Sequence, residues 1–449
     1  MQINGYLVKS TIVAALGGLL FGFDTVVISG TTAALTDLYH LNAHLFGVSL
    51  LGITVATALV GTTLGAMFGG WPGDRFGRRD SLRGIAVIYL ISALGSALAW
   101  SWGSLLLFRL LGGLAIGASS VLGPMYIAEI APARLRGRLV GLFQFNVVFG
   151  ILLAYFSNYL LGLAHLGGGE WRWKLGVAAV PSAFFLLLLF GIPRSPRWLA
   201  EKGRNDEARE VLRMTGEPDY ETQLKEIVAS IDIEHSRGSE RLFQRKYALP
   251  VFLAISIGMF NQLAGINAIL YYLNRIFAQA GFDKVSGDLQ AVAIGAANLI
   301  FTIVGMSIID KVGRKVLLLT GAVGTAVCLS GVSYVFATNH NQDKLVWLLV
   351  GYIAFFALSQ GAVIWVYISE VFPTLVRAKG QSLGAFTHWF MNTLIALTYP
   401  TLAEKSGAYP FMFFAVMMVV QFFVVWTVYP ETKGVTLEDM QKKMGGAHP

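Results

Sequence analysis

The chain predicts an all-α integral membrane fold of twelve transmembrane helices in two six-helix bundles, and three observations carry that expectation. Charged residues make up only 13% of it, against roughly 25% in a soluble domain, while 55% are hydrophobic. Apolar runs of the length that crosses a bilayer, about 17 to 25 residues, can be placed twelve times. A basic motif also recurs: Asp74-Arg75-Phe76-Gly77-Arg78-Arg79 is answered by Asp310-Lys311-Val312-Gly313-Arg314-Lys315, an offset of 236 residues. A second pair keeps nearly that spacing. Tyr126-Ile127-Ala128-Glu129-Ile130-Ala131-Pro132, followed by Arg134 and Arg136, matches Tyr367-Ile368-Ser369-Glu370-Val371-Phe372-Pro373, followed by Arg377 and Lys379, at an offset of 241. Two like halves, each mostly apolar and each with charged hinges in the same places, are the pattern of a transporter whose site lies between them.

The twelve spans fall near 11–35, 46–71, 82–101, 103–128, 139–163, 174–193, 248–273, 289–309, 316–338, 345–369, 381–403 and 409–429. The first is too long and too rich in glycine for a signal peptide and has no small-residue cleavage pattern, so it is read as a helix. The net charge of +8 is explained by topology rather than by nucleic acid. With the N-terminus inside, Arg172, Lys174, Arg275, Lys284, Lys344 and Lys405 fall outside and Arg109 falls within a span, leaving the other 27 of the 34 Lys and Arg on the cytoplasmic side. Both termini are therefore expected in the cytoplasm and the chain in the cell (inner) membrane, in contact with lipid. The single cysteine, Cys328, excludes an intrachain disulfide and a cysteine-based zinc site.

The domains expected are an N-terminal bundle over 1–193, a cytoplasmic linker over 194–247, and a C-terminal bundle over 248–449 ending in a short cytoplasmic tail. The linker carries eleven basic and eleven acidic residues, and Leu224, Ile227, Val228 and Ile231 recur at helical spacing, which predicts short amphipathic helices. A disordered linker is the alternative.

Asp24 is the only charged residue between Thr11 and Leu35, and Arg109 the only one between Gly103 and Ala128. A charge at the bilayer centre costs about 2.5–3.5 kcal/mol on insertion scales, so each needs a partner or a water-filled cavity. They are candidates for one another. Asp24 lies about 22 Å along its helix from Lys9, and Arg109 about 30 Å from Glu129, which places both in the outer half of the membrane. Two readings stand: a permanent ion pair that orders the bundle, or a carboxylate that takes up and releases a proton while Arg109 tunes its affinity for it.

The basic loops are tight turns between spans two and three and spans eight and nine. Asp74, Arg75, Arg78 and Arg136 gather with Glu129 in the first half, and Asp310, Arg314 and Arg377 with Glu370 in the second. Charge-assisted pairs of this kind can form in one conformation and break in another. Positive charge that merely orients the chain explains the loops but not the recurring glutamates.

Amides inside spans are the other informative class: Asn261, Gln262 and Asn267 in span seven, Gln144 and Asn146 in span five, Asn298 in span eight. A lone amide serves helix–helix hydrogen bonding as well as ligand binding. Several together, near Tyr271, Tyr272, Trp365 and Trp389, suit a ligand with many hydroxyls and an apolar ring face. No metal spacing, nucleophile constellation or phosphate loop is present, so an enzyme and a cofactor are not expected.

These residues resemble the sugar porter family of the major facilitator superfamily over about Leu16 to Gly434. Gly17-Gly18-Leu19-Leu20-Phe21-Gly22-Phe23-Asp24 is similar to that family's first helix, and Gln262-Leu263-Ala264-Gly265-Ile266-Asn267 to its seventh. Pro193-Arg194-Ser195-Pro196-Arg197-Trp198-Leu199 and Pro430-Glu431-Thr432-Lys433-Gly434 are similar to its linker and C-terminal signatures. The resemblance implies sugar contacts at Gln144, Gln262, Asn267, Asn298 and Trp389, flanked by Phe21, Tyr271 and Trp365, with Asn392 counted among them. It also implies proton coupling, because the Asp24 position is acidic in the family's symporters and commonly neutral in its facilitative carriers. Four positions of the site depart from the pattern: Asn261 stands where Gln is common, Gln360 and Ala362 where residues are often bulky or Pro, and His388 where an amide is usual. In the linker, Arg194 replaces a Glu expected to pair with a basic residue such as Arg377, so that clamp is either missing or rebuilt from another acid.

The function expected is proton-coupled monosaccharide uptake by alternating access, by a protein working as a monomer, for a hexose or pentose with glucose-like sugars favoured. A facilitative uniporter on the same fold is the alternative. A non-transporting sugar receptor would usually add a long signalling tail, and only about twenty residues follow span twelve.

Overall fold

The computed structural model describes residues 4–132, 135–216, 219–236, 240–373 and 375–434. Arg134 and the tail over 435–449 lie outside the described residues. Among the described residues, eleven helices are long and apolar enough to cross a membrane by length and composition. The stretch expected as span eleven is a further continuous helix, Arg377–Lys405, of 29 residues. Its His388, Asn392 and threonines and its basic ends make it less apolar than its neighbours, as a helix with polar work inside a bundle must be.

The chain divides into two compact units. The first comprises residues 1–25, 60–154 and 172–239; the second comprises 26–59, 155–171 and 240–449. In the first unit, glycines let helices pack backbone to backbone. A Cβ at Gly22 would lie 1.9 Å from the Val147 carbonyl oxygen and one at Gly150 2.1 Å from that of Leu19, so the first and fifth spans touch through their main chains. An apolar core of Leu20, Ile85, Ile116, Leu122, Tyr126, Phe143 and Phe185 fills the space between the helices around them.

The segment after span six, also in the first unit, forms the helices Pro196–Glu201, Asn205–Met214 and Tyr220–Ser236. Ser195 caps the first of them by accepting the Trp198 N–H, with Pro196 at the opening position. Trp198, Leu199, Val211, Leu212 and Leu224 close a small core of their own.

In the second unit the seventh span is broken. Helix Ala248–Leu263 ends at Ala264, and Gly265 takes a left-handed conformation (φ 84°) before helix Ile266–Gln279 begins. A side chain could not replace it, since a Cβ there would lie 2.3 Å from the Phe414 ring. The tenth span is broken as well, between Leu345–Leu358 and Gln360–Val371, where Ser359 adopts φ −115°, ψ −93°. Unwound points in the middle of a span expose backbone groups and are where transporters place their ligands.

The segments 26–59 and 155–171 pack on the helices of this same unit. Tyr155 Oη donates to the Leu270 carbonyl at 2.7 Å, Lys284 pairs with Glu170 at 2.6 Å, and His44 meets Glu404 at 3.0 Å from a two-residue hairpin strand, His44–Leu45.

Candidate functional site

Asp24 and Arg109 meet in the first unit. Arg109 Nη1 donates to Asp24 Oδ1 at 3.0 Å and Nη2 to the Asp24 carbonyl at 3.3 Å. Both residues are buried, Arg109 being 2% exposed. The pair is incomplete: Asp24 Oδ2 and Arg109 Nε have no hydrogen-bond partner among the described residues. Gly112 lies beside Oδ2, at a place where a Cβ would come within 3.4 Å of it. A carboxylate with one oxygen engaged and one open keeps a place for a proton, which a fully bidentate pair would not.

The amides of span seven sit in the second unit on either side of the Gly265 break and form a continuous chain. Asn267 Nδ2 donates to Gln262 Oε1 at 3.0 Å, and Gln262 Nε2 donates to Asn261 Oδ1 at 3.1 Å. The same Nε2 lies 3.2 and 3.3 Å from the two ring nitrogens of His388. The His388 ring is tilted against Trp365 at 5.2 Å between centroids and edge-on to Trp389 at 5.1 Å. Trp365 is 40% exposed whereas Trp389 is buried, so the cluster passes from an open aromatic face into a polar floor. Asn392 Nδ2 donates to Tyr271 Oη at 2.9 Å, and Asn392 Oδ1 is buried without a partner among the described residues. Asn298 is buried on the helix Lys284–Val312.

Gln360 follows the break of the tenth span. Its carbonyl accepts from Asn261 Nδ2 at 3.4 Å, while its own Nε2 turns away to Gln421 Oε1 at 2.9 Å and Met418 Sδ at 3.2 Å. Phe21 and Gln144, the other two expected contacts, are half-buried in the first unit. Gln421 was not legible as a site residue, because a lone amide in span twelve carries no signal until the fold brings it under Gln360.

The basic loops are built alike. Gly77 (φ 90°) and Gly313 (φ 104°) turn the chain into the next helix in a conformation that favours glycine. Arg78 then reaches Glu129 Oε1 at 2.9 and 3.0 Å and Asp74 at 3.1 Å. Arg314 takes Glu370 through two nitrogens at 2.8 and 3.1 Å and Asp310 at 2.9 Å. The remaining expected members do other things. Arg75 lies over the Trp71 and Phe76 rings, Arg136 donates to the Ala128 carbonyl, and Arg377 donates to that of Phe372.

Glycine at a helix start supplies no capping side chain, and here the chain provides one from afar. Glu431 accepts the backbone N–H of Arg314 at 2.9 Å and of Lys315 at 3.0 Å, as well as those of Thr432 and Lys433, and Thr432 Oγ1 donates to Glu370 at 2.6 Å. Burial acts to raise the Glu431 carboxyl, but the four N–H groups outweigh it and hold it below the usual glutamate value. The first loop is held differently: Trp198 lies against Gly77, and its Nε1 donates to the Asp74 carbonyl at 3.0 Å. Arg194, where a Glu was expected, pairs with Asp80 at 3.1 Å, so an acid in the first turn of the helix Arg78–Ala97 takes up the charge.

Because Glu129 and Glu370 each anchor one arginine, replacing either by Gln removes the charge-assisted half of the pair. Glu129→Gln and Glu370→Gln are each expected to change transport rates several-fold while leaving sugar affinity in detergent within about two-fold. Flux assays in vesicles set beside calorimetry test this, and unchanged rates in both variants would reduce the pairs to orienting charges.

Residues 10–444 match the family model for sugar (and other) transporters. The chain belongs to that family. It is 35% identical to the D-xylose-proton symporter of Escherichia coli (strain K12), over 98% of this chain and 96% of that protein. It is 37% identical to the arabinose-proton symporter of Bacillus subtilis (strain 168), over 98% and 95% of the two chains. Among solved structures, the xylose transporter XylE from E. coli in a partially occluded inward-open conformation superposes with a TM-score of 0.86 at 33% identity, covering 96% of this chain and 99% of that one. Membership explains why the fold is that of the major facilitator superfamily and why the chain is a transporter rather than an enzyme.

Proposed function

We propose that this protein imports a monosaccharide, hexose or pentose, together with a proton, by alternating access across the cell membrane, as a monomer with both termini in the cytoplasm. The observation that carries the proposal is the half-satisfied pair of Asp24 and Arg109, a buried carboxylate with one oxygen open. The amide chain of Asn261, Gln262 and Asn267, the His388 and Trp389 rings and the open acceptor of Asn392 supply what a polyhydroxylated ring needs: several donors and acceptors, and flat apolar faces. Gln144, Phe21, Tyr271, Asn298 and Trp365 complete the proposed set of contacts, with Gln360 holding Asn261 through its backbone. Relatives named as proton symporters for xylose and for arabinose support the same reading.

The bundles 1–193 and 248–449, joined by the segment 194–247, are the proposed moving parts. Protonation of Asp24 and occupation of the amide site together permit the inward step. Adding a transported sugar to cells in lightly buffered medium is expected to make the medium more alkaline, one proton for each sugar taken up. Sugar entry without alkalinisation would identify a facilitative uniporter instead.

A further inference from the structure

The buried Ser29 and Asp288 and the half-buried Asn274 between them form a polar chain that neither the proton pair nor the sugar site uses. Ser29 lies in the turn Ile28–Thr31 that follows the first helix, Asn274 in the helix Ile266–Gln279, and Asp288 near the start of Lys284–Val312. Ser29 Oγ donates to Asn274 Oδ1, and Asn274 Nδ2 donates to Asp288 Oδ1. Ser29 is 1% and Asp288 2% exposed. The order of donors follows from chemistry. A carboxylate only accepts, so Asn274 must turn its NH2 toward Asp288, which leaves its carbonyl oxygen for Ser29 and obliges the serine hydroxyl to donate. One amide thereby ties the turn after the first helix, 245 positions away, to two consecutive helices of the second unit.

Polar and ionisable groups within a spanning region are costly and call for a role. Simple packing is already provided at this place by neighbours: Asn158 Nδ2 donates to the Val27 carbonyl at 3.2 Å, and a Cβ at Gly30 would lie 2.5 Å from that same nitrogen. What the Ser29–Asn274–Asp288 chain adds is direction and reversibility. Hydrogen bonds between a hydroxyl, an amide and a carboxylate can be exchanged for bonds to water when an entrance fills with solvent, whereas an apolar seal gains nothing from water.

We propose that Asn274 is a positioning residue of the transport cycle: with Asp288 orienting its amide, it latches Ser29 at the outer end of the first span, and its release accompanies opening of the outer entrance. The proposal rests on the alternating-access reading above. Asn274 also lies seven residues after Asn267 on one face of one helix, so the latch and the proposed sugar contact ride on the same rigid element.

The test reads accessibility rather than sugar. In full-length protein carrying Cys328→Ser, a cysteine introduced at the fully buried Val27 is labelled from outside with a membrane-impermeant maleimide. Asn274→Leu and Ser29→Ala are expected to raise the labelling rate about tenfold, whereas Ser29→Thr, which keeps the hydroxyl, labels at the parent rate. Parent-rate labelling in both Asn274→Leu and Ser29→Ala would overturn the latch, as would Ser29→Thr labelling as fast as Ser29→Ala. If Asn274→Leu does not fold, the two serine variants decide alone. Uptake of xylose, arabinose and glucose by the same preparations is scored separately: failure of the parent to move any of them refutes the transport reading and leaves the labelling result standing.

Discussion

Asp24→Asn is expected to lose all accumulation of sugar against a gradient while sugar-for-sugar exchange continues near the parent rate. The replacement keeps the shape of the side chain and an oxygen to accept from Arg109 Nη1 at its 3.0 Å separation, but it cannot carry a proton. A membrane potential contributes about 2.3 kcal/mol per charge per 100 mV, equivalent to roughly fiftyfold accumulation, and only a moving proton couples that energy to the sugar. Exchange needs no net proton movement and is therefore insensitive to the change. Vesicles energised with an imposed potential measure the first quantity, and counterflow with labelled sugar measures the second. Proton-driven accumulation by the variant would remove Asp24 from the mechanism. A parent protein that never exceeds equilibrium would make the pair structural and the protein a uniporter.

The second large effect is expected at Gln262. Its side chain is spoken for on every side, accepting from Asn267, donating to Asn261 and facing the His388 ring. Gln262→Ala removes a direct hydrogen-bonding group and also frees the Asn267 amide and the Asn261 carbonyl to lose their orientation. A buried polar group left unpaired costs about 1–3 kcal/mol, so sugar affinity should fall roughly tenfold or more, with Asn267→Ala close behind. Calorimetric titration of purified protein checks this, with a melting curve to confirm that each variant is folded. If both variants bind sugar as the parent does, the cavity lies elsewhere.

The two forecasts differ in how much of their basis could be read from the sequence. Asp24 and Arg109 stand out because each is the single charge in an apolar run, and a lone intramembrane charge restricts its partner to the few other such charges. The half-open geometry of the pair was not readable, since it depends on which carboxylate oxygen the guanidinium reaches. Gln262 and Asn267 were visible as amides in a span. That Gln262 faces His388, 126 positions away, is a product of how span eleven packs against span seven. Asp288 and Lys174 illustrate the opposite failure. Each lies at the edge of an apolar run and so reads as a boundary charge, yet both are buried.

By itself, then, the sequence determined the spans, the uneven spread of basic charge between them, the paired loops with their glutamates, and the list of polar groups that must find partners within the membrane. These are additive or local properties: transfer free energy is summed residue by residue along a helix, and a glycine at positive φ is required by the turn it makes. Tertiary structure alone decided which partner each polar group found. Glu431 caps the helix that begins at Arg314, Arg194 settles on Asp80, Asn392 meets Tyr271, and Asn274 bridges Ser29 and Asp288. Each of these contacts joins residues from separate elements, and hydrogen bonds act over about 3 Å, so the choice among candidate partners is made by the packing of whole helices and leaves no local mark in the chain.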